Sequence, residues 1–100
     1  MPFVREQSGG TTDPLTISGT FISAFDAYLP YDFCKSYKYI KLSGEAVAYS
    51  LRNSSGNYVD VSSNTDYLIS DYVYDNKVYF QFSMNTVVSY TRAYNLELHN

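Results

Sequence analysis

The sequence contains one cysteine, one histidine and no tryptophan. Because Cys34 has no second cysteine to pair with, an internal disulfide is excluded, and we expect this side chain to be a small buried hydrophobic group. His99 lies next to the last residue, where we expect a solvated imidazole and not a catalytic base. Ser-His-Asp and Cys-His chemistry needs a positioned imidazole, and a structural zinc site needs about four Cys or His ligands. These absences predict a protein that is not an enzyme and uses no cofactor.

Clustered positive charge and long apolar runs are also missing. The formal net charge is -3, which disfavours nucleic acid as a partner because duplex binding needs clustered Lys and Arg. No apolar stretch reaches the roughly 18 residues of a membrane span, so we expect no membrane partner. The first ten residues lack the apolar core of a signal peptide, which predicts synthesis in the cytoplasm.

The residues that are abundant favour β-structure. Among 100 residues, 12 are Tyr and 6 are Phe, and both types suit a half-buried pleated surface. The length fits one domain. Gly9, Gly10 and Pro14 mark residues 1–14 as an extended N-terminal arm, and residues 15–100 then form the domain. The apolar Phe3 and Val4 in this arm are candidate contacts with a neighbouring subunit; the alternative is that the arm is disordered.

Alternating apolar residues and turn signals predict about seven strands. The expected strands include one with Ile40 and Leu42 on a single face, a hairpin around the turn Asn53–Gly56, and strands over 67–74 and 77–84 joined by Asp75 and Asn76. Many short strands without intervening helices are typical of an antiparallel β-sandwich, immunoglobulin-like or jelly-roll, with a small β-barrel as the alternative.

Residues 15–29 are ambiguous. Phe21, Phe25 and Leu29 recur at the spacing of a helix, whereas Leu15, Ile17 and Phe21 alternate with polar residues as a strand does. We predict a strand over Leu15–Ile22, followed by an irregular connection or a short helix that ends before Pro30.

The surplus of tyrosine points to a contact surface. Twelve phenol hydroxyls cannot all be buried in a small core, because a buried hydroxyl without a partner costs about 1–3 kcal/mol. Surfaces rich in Tyr, Ser and Asn are typical of recognition sites, although cross-strand aromatic pairs can also serve only to stabilise a sheet. The candidate binding residues are Tyr39, Tyr72, Tyr74 and Tyr79.

A calcium site is a weaker possibility, built from the loop oxygens of Asp60, Asn64 and Asp66. Oxygen ligands of this kind suit Ca²⁺, but the spacing of an EF-hand is absent, and carboxylates in polar turns are usually solvated.

The stretch from Tyr31 to Gly44, YDFCKSYKYIKLSG, together with the Gly-Gly arm and the Tyr-rich hairpins, resembles small all-β accessory domains of bacteriophage virions. The resemblance implies a non-enzymatic structural subunit of a tail, fibre or capsid, located in the virion and forming homo-oligomers. Its partners would be other virion proteins or copies of itself. The alternative is a carbohydrate-binding adhesion module that contacts a host-surface glycan through its tyrosines.

Overall fold

The computed structural model describes residues 13–84 and 90–100. These residues form eight β-strands, one short α-helix and one 3-10 helix. The strands are β1 (Leu15–Phe21), β2 (Phe25–Pro30), β3 (Tyr39–Gly44), β4 (Ala48–Arg52), β5 (Tyr58–Val61), β6 (Asp66–Leu68), β7 (Lys77–Ser83) and β8 (Arg92–His99). The helix α1 (Tyr31–Cys34) follows β2, and the 3-10 helix (Ile69–Tyr72) follows β6.

The strands form two four-stranded antiparallel sheets packed as a sandwich. Sheet A has the order β1-β8-β3-β6, and sheet B has the order β2-β7-β4-β5. The prediction of an antiparallel sandwich is confirmed, with eight strands where about seven were expected. The alternative of a closed barrel is wrong, because the two sheets remain separate.

The core lies between the inner faces of the two sheets. Phe82 on β7 is completely buried, and its ring centroid lies 5.1 Å from that of Tyr94, 5.4 Å from Phe25 and 5.5 Å from Tyr49. Tyr94 belongs to sheet A and the other rings to sheet B, so aromatic contacts join the two sheets. The other fully buried side chains are aliphatic except for Cys34: Ile40, Leu42, Leu51, Ile69, Val78, Leu96 and Leu98.

The prediction that Cys34 is a buried hydrophobic group is confirmed, since its side chain has no exposed surface. Burial raises the pKa of the thiol to about 11. The thiol is therefore protonated at neutral pH, and a protonated thiol is a poor nucleophile.

The segment after β1 differs from the prediction. Residues Phe25–Pro30 are a strand, not a connection or a short helix, because Phe25, Ala27 and Leu29 face the core while the residues between them face solvent. β2 pairs along its whole length with β7. The helical spacing of Phe21, Phe25 and Leu29 has no structural counterpart, because Phe21 ends β1 while Phe25 and Leu29 lie on β2. The short helix comes later, at Tyr31–Cys34.

The predicted strand over 67–74 is also mostly wrong. Only Asp66–Leu68 are in a strand, and a 3-10 helix follows. Ile69 and Tyr72 both pack on the core, and their separation of three residues matches the repeat of a 3-10 helix. The predicted turn at Asp75 and Asn76 is confirmed, with φ values of 52° and 62° and a bridge between Tyr74 and Lys77.

We predict that Phe82→Ala lowers the free energy of unfolding by about 3–5 kcal/mol, because the substitution leaves a cavity at the centre of the aromatic contacts. Urea denaturation measures this loss, and Phe82→Leu should give a smaller loss if the alanine variant does not fold. Val47→Ala is the matched control, since Val47 is 54% exposed and should change stability by no more than about 0.5 kcal/mol. Equal losses for Phe82→Ala and Val47→Ala would contradict this account of the core.

Candidate functional site

The outer faces of the two sheets differ in chemistry. On sheet A, polar pairs join side chains of different strands: Ser18 with Asn95 at 2.7 Å, Lys41 with Glu97 at 3.4 Å, and His99 with Asp66 at 2.7 Å. On sheet B, the corresponding surface carries tyrosine rings. A surface of paired polar side chains needs no further partner, whereas a surface of partly exposed rings is suited to binding one.

The strand register places four side chains of sheet B in one row. Tyr28 of β2 lies opposite Tyr79 of β7, and Arg52 of β4 lies opposite Tyr58 of β5. The pairing of β4 with β7 brings Arg52 beside Tyr79, with the guanidinium carbon 4.9 Å from the ring centroid. The row therefore crosses all four strands. With Tyr74, which lies just before β7, these residues form what we call the tyrosine face.

Arg52 lies at the centre of the tyrosine face. Its guanidinium carbon is 4.4 Å from the centroid of Tyr74, 4.9 Å from that of Tyr79 and 5.6 Å from that of Tyr58. Contacts between a cation and aromatic rings at these distances are attractive. The Nε of Arg52 also donates a hydrogen bond to the backbone carbonyl of Gly56 at 2.9 Å, which fixes the direction of the side chain. Arg52 thus positions three of the four rings.

The turn between β4 and β5 holds this arrangement in place. The side-chain carbonyl of Asn53 accepts hydrogen bonds from the backbone N–H groups of Ser55 and Asn57 at 3.0 and 3.1 Å. Gly56 adopts a φ of 92°, and a β-carbon at this position would lie 2.8 Å from the ring of Tyr74. Glycine is therefore required here both for the turn and for the close approach of the ring.

A second row of side chains runs beside the rings on the same face. The register aligns Asp26 with Gln81, Gln81 with Ser50, and Ser50 with Asp60. The Ser50 hydroxyl donates to Asp60 Oδ1 at 3.5 Å. Ser50 is only 6% exposed although it points away from the core, so the surrounding side chains cover it. This polar row offers the carboxylates of Asp26 and Asp60 and the amide of Gln81 to a ligand lying on the rings, while the covered Ser50 hydroxyl supports Asp60.

The rings at the two ends of the row are the most accessible. Tyr28 is 50% exposed and Tyr58 is 36% exposed, while Tyr74 and Tyr79 are half-buried. Burial and the carboxylate of Asp26 raise the pKa of Tyr58, with the Arg52 charge opposing them. The hydroxyl of Tyr58 is therefore protonated at neutral pH and can both donate and accept hydrogen bonds.

Two of the four tyrosines predicted as binding residues lie on this face, Tyr74 and Tyr79. Tyr39 lies on the outer face of sheet A, 5.4 Å from the ring of His99, and Tyr72 packs on the core with its ring perpendicular to Tyr67 at 6.0 Å. Phe3 and Val4 lie outside the described residues.

Sequence patterns did not identify Tyr28, Arg52 and Tyr58 as members of the site. The available signal was alternation along the chain. Tyr28 lies between the apolar Ala27 and Leu29, and Tyr58 precedes the apolar Val59, so both rings occupy outward positions of their strands. Which strands lie side by side was not evident from that signal.

The three calcium candidates do not form a site. Asp60 points outward from sheet B, where Ser50 contacts it, whereas Asp66 points outward from sheet A and accepts a hydrogen bond from His99. Asn64 lies in the loop between the two sheets, with a φ of 56°. Within residues 13–84 and 90–100, no group of three or more His, Cys, Asp or Glu side chains is arranged to hold a metal ion.

The expectation of a solvated His99 is wrong. The side chain belongs to β8, is 20% exposed, and donates from Nε2 to Asp66 Oδ1 at 2.7 Å. The pair links β8 to β6 across the outer face of sheet A, with the strand β3 between them.

A cleft of about 340 Å³ opens at the end of the sandwich where α1 and the 3-10 helix lie. Tyr31, Tyr37, Lys35 and Lys38 contribute to its walls. Lys35 forms an ion pair with Asp32 at 3.3 Å, so part of its charge is already compensated. The cleft has no feature comparable to the two aligned rows of the tyrosine face.

Comparison with protein families, with curated proteins and with solved structures gives no match to this chain. Its function is therefore inferred from its own residues. Among the described residues, no helix has the length and apolar character needed to cross a membrane.

We predict that the protein loses stability as the pH rises above the ordinary pKa of histidine. The hydrogen bond to Asp66 raises the pKa of His99 above 6.5, so the folded state holds the proton more tightly than the unfolded state. This contribution is complete below pH 6.5 and is lost as the pH rises through the raised pKa of the folded state.

Thermal or urea unfolding at a series of pH values measures this dependence. In Asp66→Asn the carboxylate is absent, and the dependence above pH 6.5 should become flatter than in the unmodified protein. An equal slope of stability against pH in both proteins would show that the pair of His99 and Asp66 does not cause the pH dependence.

Proposed function

We propose that the protein is a non-enzymatic carbohydrate-binding module that uses the tyrosine face to attach to a glycan, as in adhesion to a cell surface. The observation that supports this proposal is the alignment of a row of partly exposed rings beside a row of carboxylate and amide groups. A sugar ring has an apolar C–H surface bordered by hydroxyl groups. The tyrosine rings match the first feature and the polar row matches the second.

The geometry of the tyrosine face supports recognition over simple stabilisation of the sheet. Cross-strand aromatic pairs stabilise a sheet by roughly 0.2–1 kcal/mol each, and the pair of Tyr28 and Tyr79 contributes in this way. Stabilisation does not require Tyr28 to remain 50% exposed at the end of the row. Tyr74 lies outside the eight strands, so stabilisation of the sheet also does not require its ring to be held between Gly56 and Arg52.

A ligand-binding face of this kind is pre-organised. The guanidinium of Arg52 is held by the Gly56 carbonyl and by three rings, so little side-chain freedom remains to be lost when a ligand binds. Tyrosine has few rotatable bonds and presents a large amphipathic area at a low entropic cost.

A second candidate function is that of a structural subunit of a bacteriophage virion, which contacts copies of itself or other virion proteins. The observation that favours it is a set of exposed apolar side chains at one end of the sandwich. Ile22, Val47 and Tyr90 are 49%, 54% and 59% exposed, and they lie in the connections after β1, before β4 and before β8. The register places the end of β1, the start of β4 and the start of β8 at the same end of the sandwich, so together these side chains offer an apolar surface to a neighbouring subunit.

Tyr79→Ala removes the ring that touches Tyr28, Tyr74 and Arg52, and it should weaken binding to any glycan recognised by the unmodified protein by about tenfold or more. A glycan array identifies the ligand, and calorimetry measures the affinity. Tyr39→Ala is the matched control, because it removes a half-buried tyrosine from the outer face of sheet A and should leave the affinity unchanged. Absence of binding to every glycan on the array, or equal effects of the two substitutions, would contradict the proposal.

If the end of the sandwich that carries Ile22, Val47 and Tyr90 binds a second copy of the chain, the native mass should exceed that of a single 11.4 kDa chain. Val47→Asp should then reduce the native mass to that of the monomer. Light scattering coupled to size exclusion measures both. Thr16→Asp is the control, since Thr16 is an exposed residue at the opposite end of the sandwich. A monomer at all concentrations would contradict self-association through this end.

A further inference from the structure

We infer that the tyrosine face selects an unbranched, uncharged glycan that lies across the strands of sheet B. This inference depends on the proposed glycan-binding function and adds to it the class of ligand, its direction on the sheet and the length of chain that is recognised.

The direction follows from the register. Tyr28, Tyr79, Arg52 and Tyr58 occupy the same row on β2, β7, β4 and β5, so three rings and the Arg52 guanidinium follow one another perpendicular to the strands. The polar row of Asp26, Gln81, Ser50 and Asp60 runs parallel to them, one step of the pleat away. A linear chain lying across the strands can therefore contact the rings and Arg52 in one row, and the side chains of Asp26, Gln81 and Asp60 in the other. A chain lying along the strands would leave the ring row after one sugar.

The length follows from the spacing of the strands. Four strands enclose three gaps of about 4.8 Å each, so the row measures about 14 Å at the backbone, the length of about three sugar rings. The accessible rings of Tyr28 and Tyr58 lie at its two ends. Each end can thus take a terminal sugar of a short segment, while the half-buried Tyr79 supports the middle.

The preference for an uncharged ligand follows from the charges on this face. Asp26 and Asp60 lie at opposite ends of the polar row and carry negative charge. Lys77, beside Tyr28, forms an ion pair with Asp75 at 3.4 Å. The positive charge of Arg52 lies among three rings and faces the Gly56 carbonyl. The carboxylates can accept hydrogen bonds from sugar hydroxyls, but they repel a carboxylated or sulfated glycan.

The test of charge selection uses the full chain on an array that carries uncharged oligosaccharides, uronic acid oligomers, and sialylated and sulfated glycans. We expect the uncharged glycans to bind at least tenfold more tightly than the anionic ones at low salt. In the double variant Asp26→Asn with Asp60→Asn, the difference should shrink severalfold because anionic glycans gain affinity. Asp32→Asn with Glu97→Gln is the control, since it removes the same charge outside sheet B and should preserve the selectivity.

The test of length measures affinity for one to six units of the uncharged sugar that binds best. We expect affinity to increase up to about three units and then to level off, as the span of about 14 Å implies. Tyr58→Ala removes one end of the row and should move this plateau to a shorter chain. Tyr58→Phe and Tyr58→Trp should keep the plateau at about three units, because the ring and not the hydroxyl supports the sugar.

The experiments distinguish failure of the predicted ligand class from failure of glycan binding itself. Preferred binding of anionic glycans, equal binding of both classes, or full affinity for a single sugar would overturn this inference while glycan binding itself stands. No binding to any glycan on the array would overturn the proposed function, and this inference with it.

Discussion

Side chains alternate along β7, and this alternation links the core of the sandwich to its candidate binding surface. Val78, Phe80 and Phe82 face inward and are buried, while Tyr79 and Gln81 face the outer side of sheet B. Because the repeat is two residues, a shift of one position would expose the phenylalanines and bury the polar groups. The burial of Phe82 therefore also sets the register of the tyrosine face. The turn at Asp75 and Asn76, with positive φ at both residues, starts β7 in this register.

The parts of the fold that sequence patterns predicted are those determined by short-range features. The alternation in β7, the hairpin around Asn53–Gly56 and the burial of Cys34 each depend on a few neighbouring residues. β2 was not predicted, because Phe25 and Leu29 fit a helix as well as a strand. Its strand conformation is stabilised by pairing with β7, about 50 residues further along the chain. The 3-10 helix was missed for the same reason, since the burial of Ile69 is a property of the whole fold.

The candidate site was predicted in part. The excess of tyrosine indicated a contact surface, and Tyr74 and Tyr79 lie on the one that the structure describes. The role of Arg52 could not be predicted, because it depends on β4 lying between β5 and β7. Tyr39 and Tyr72 illustrate the converse. Both suit an exposed strand surface by composition, yet one lies on the polar outer face of sheet A and the other packs on the core. The number of tyrosines thus indicates that a contact surface exists, while the order of the strands determines which tyrosines lie on it.

The position of β8 has a consequence for how the protein is made. This strand lies between β1 and β3, and Leu15 pairs with Leu98, 83 residues further along the chain. On the ribosome, sheet A cannot assemble until residues 92–99 have emerged, because β1 has β8 as its neighbour. Until then β1 lacks its hydrogen-bonding partner, and the nascent chain exposes an unpaired strand edge of the kind that promotes aggregation. Completion of sheet A is thus expected only after β8 has been translated, with slow closure typical of contacts between distant residues.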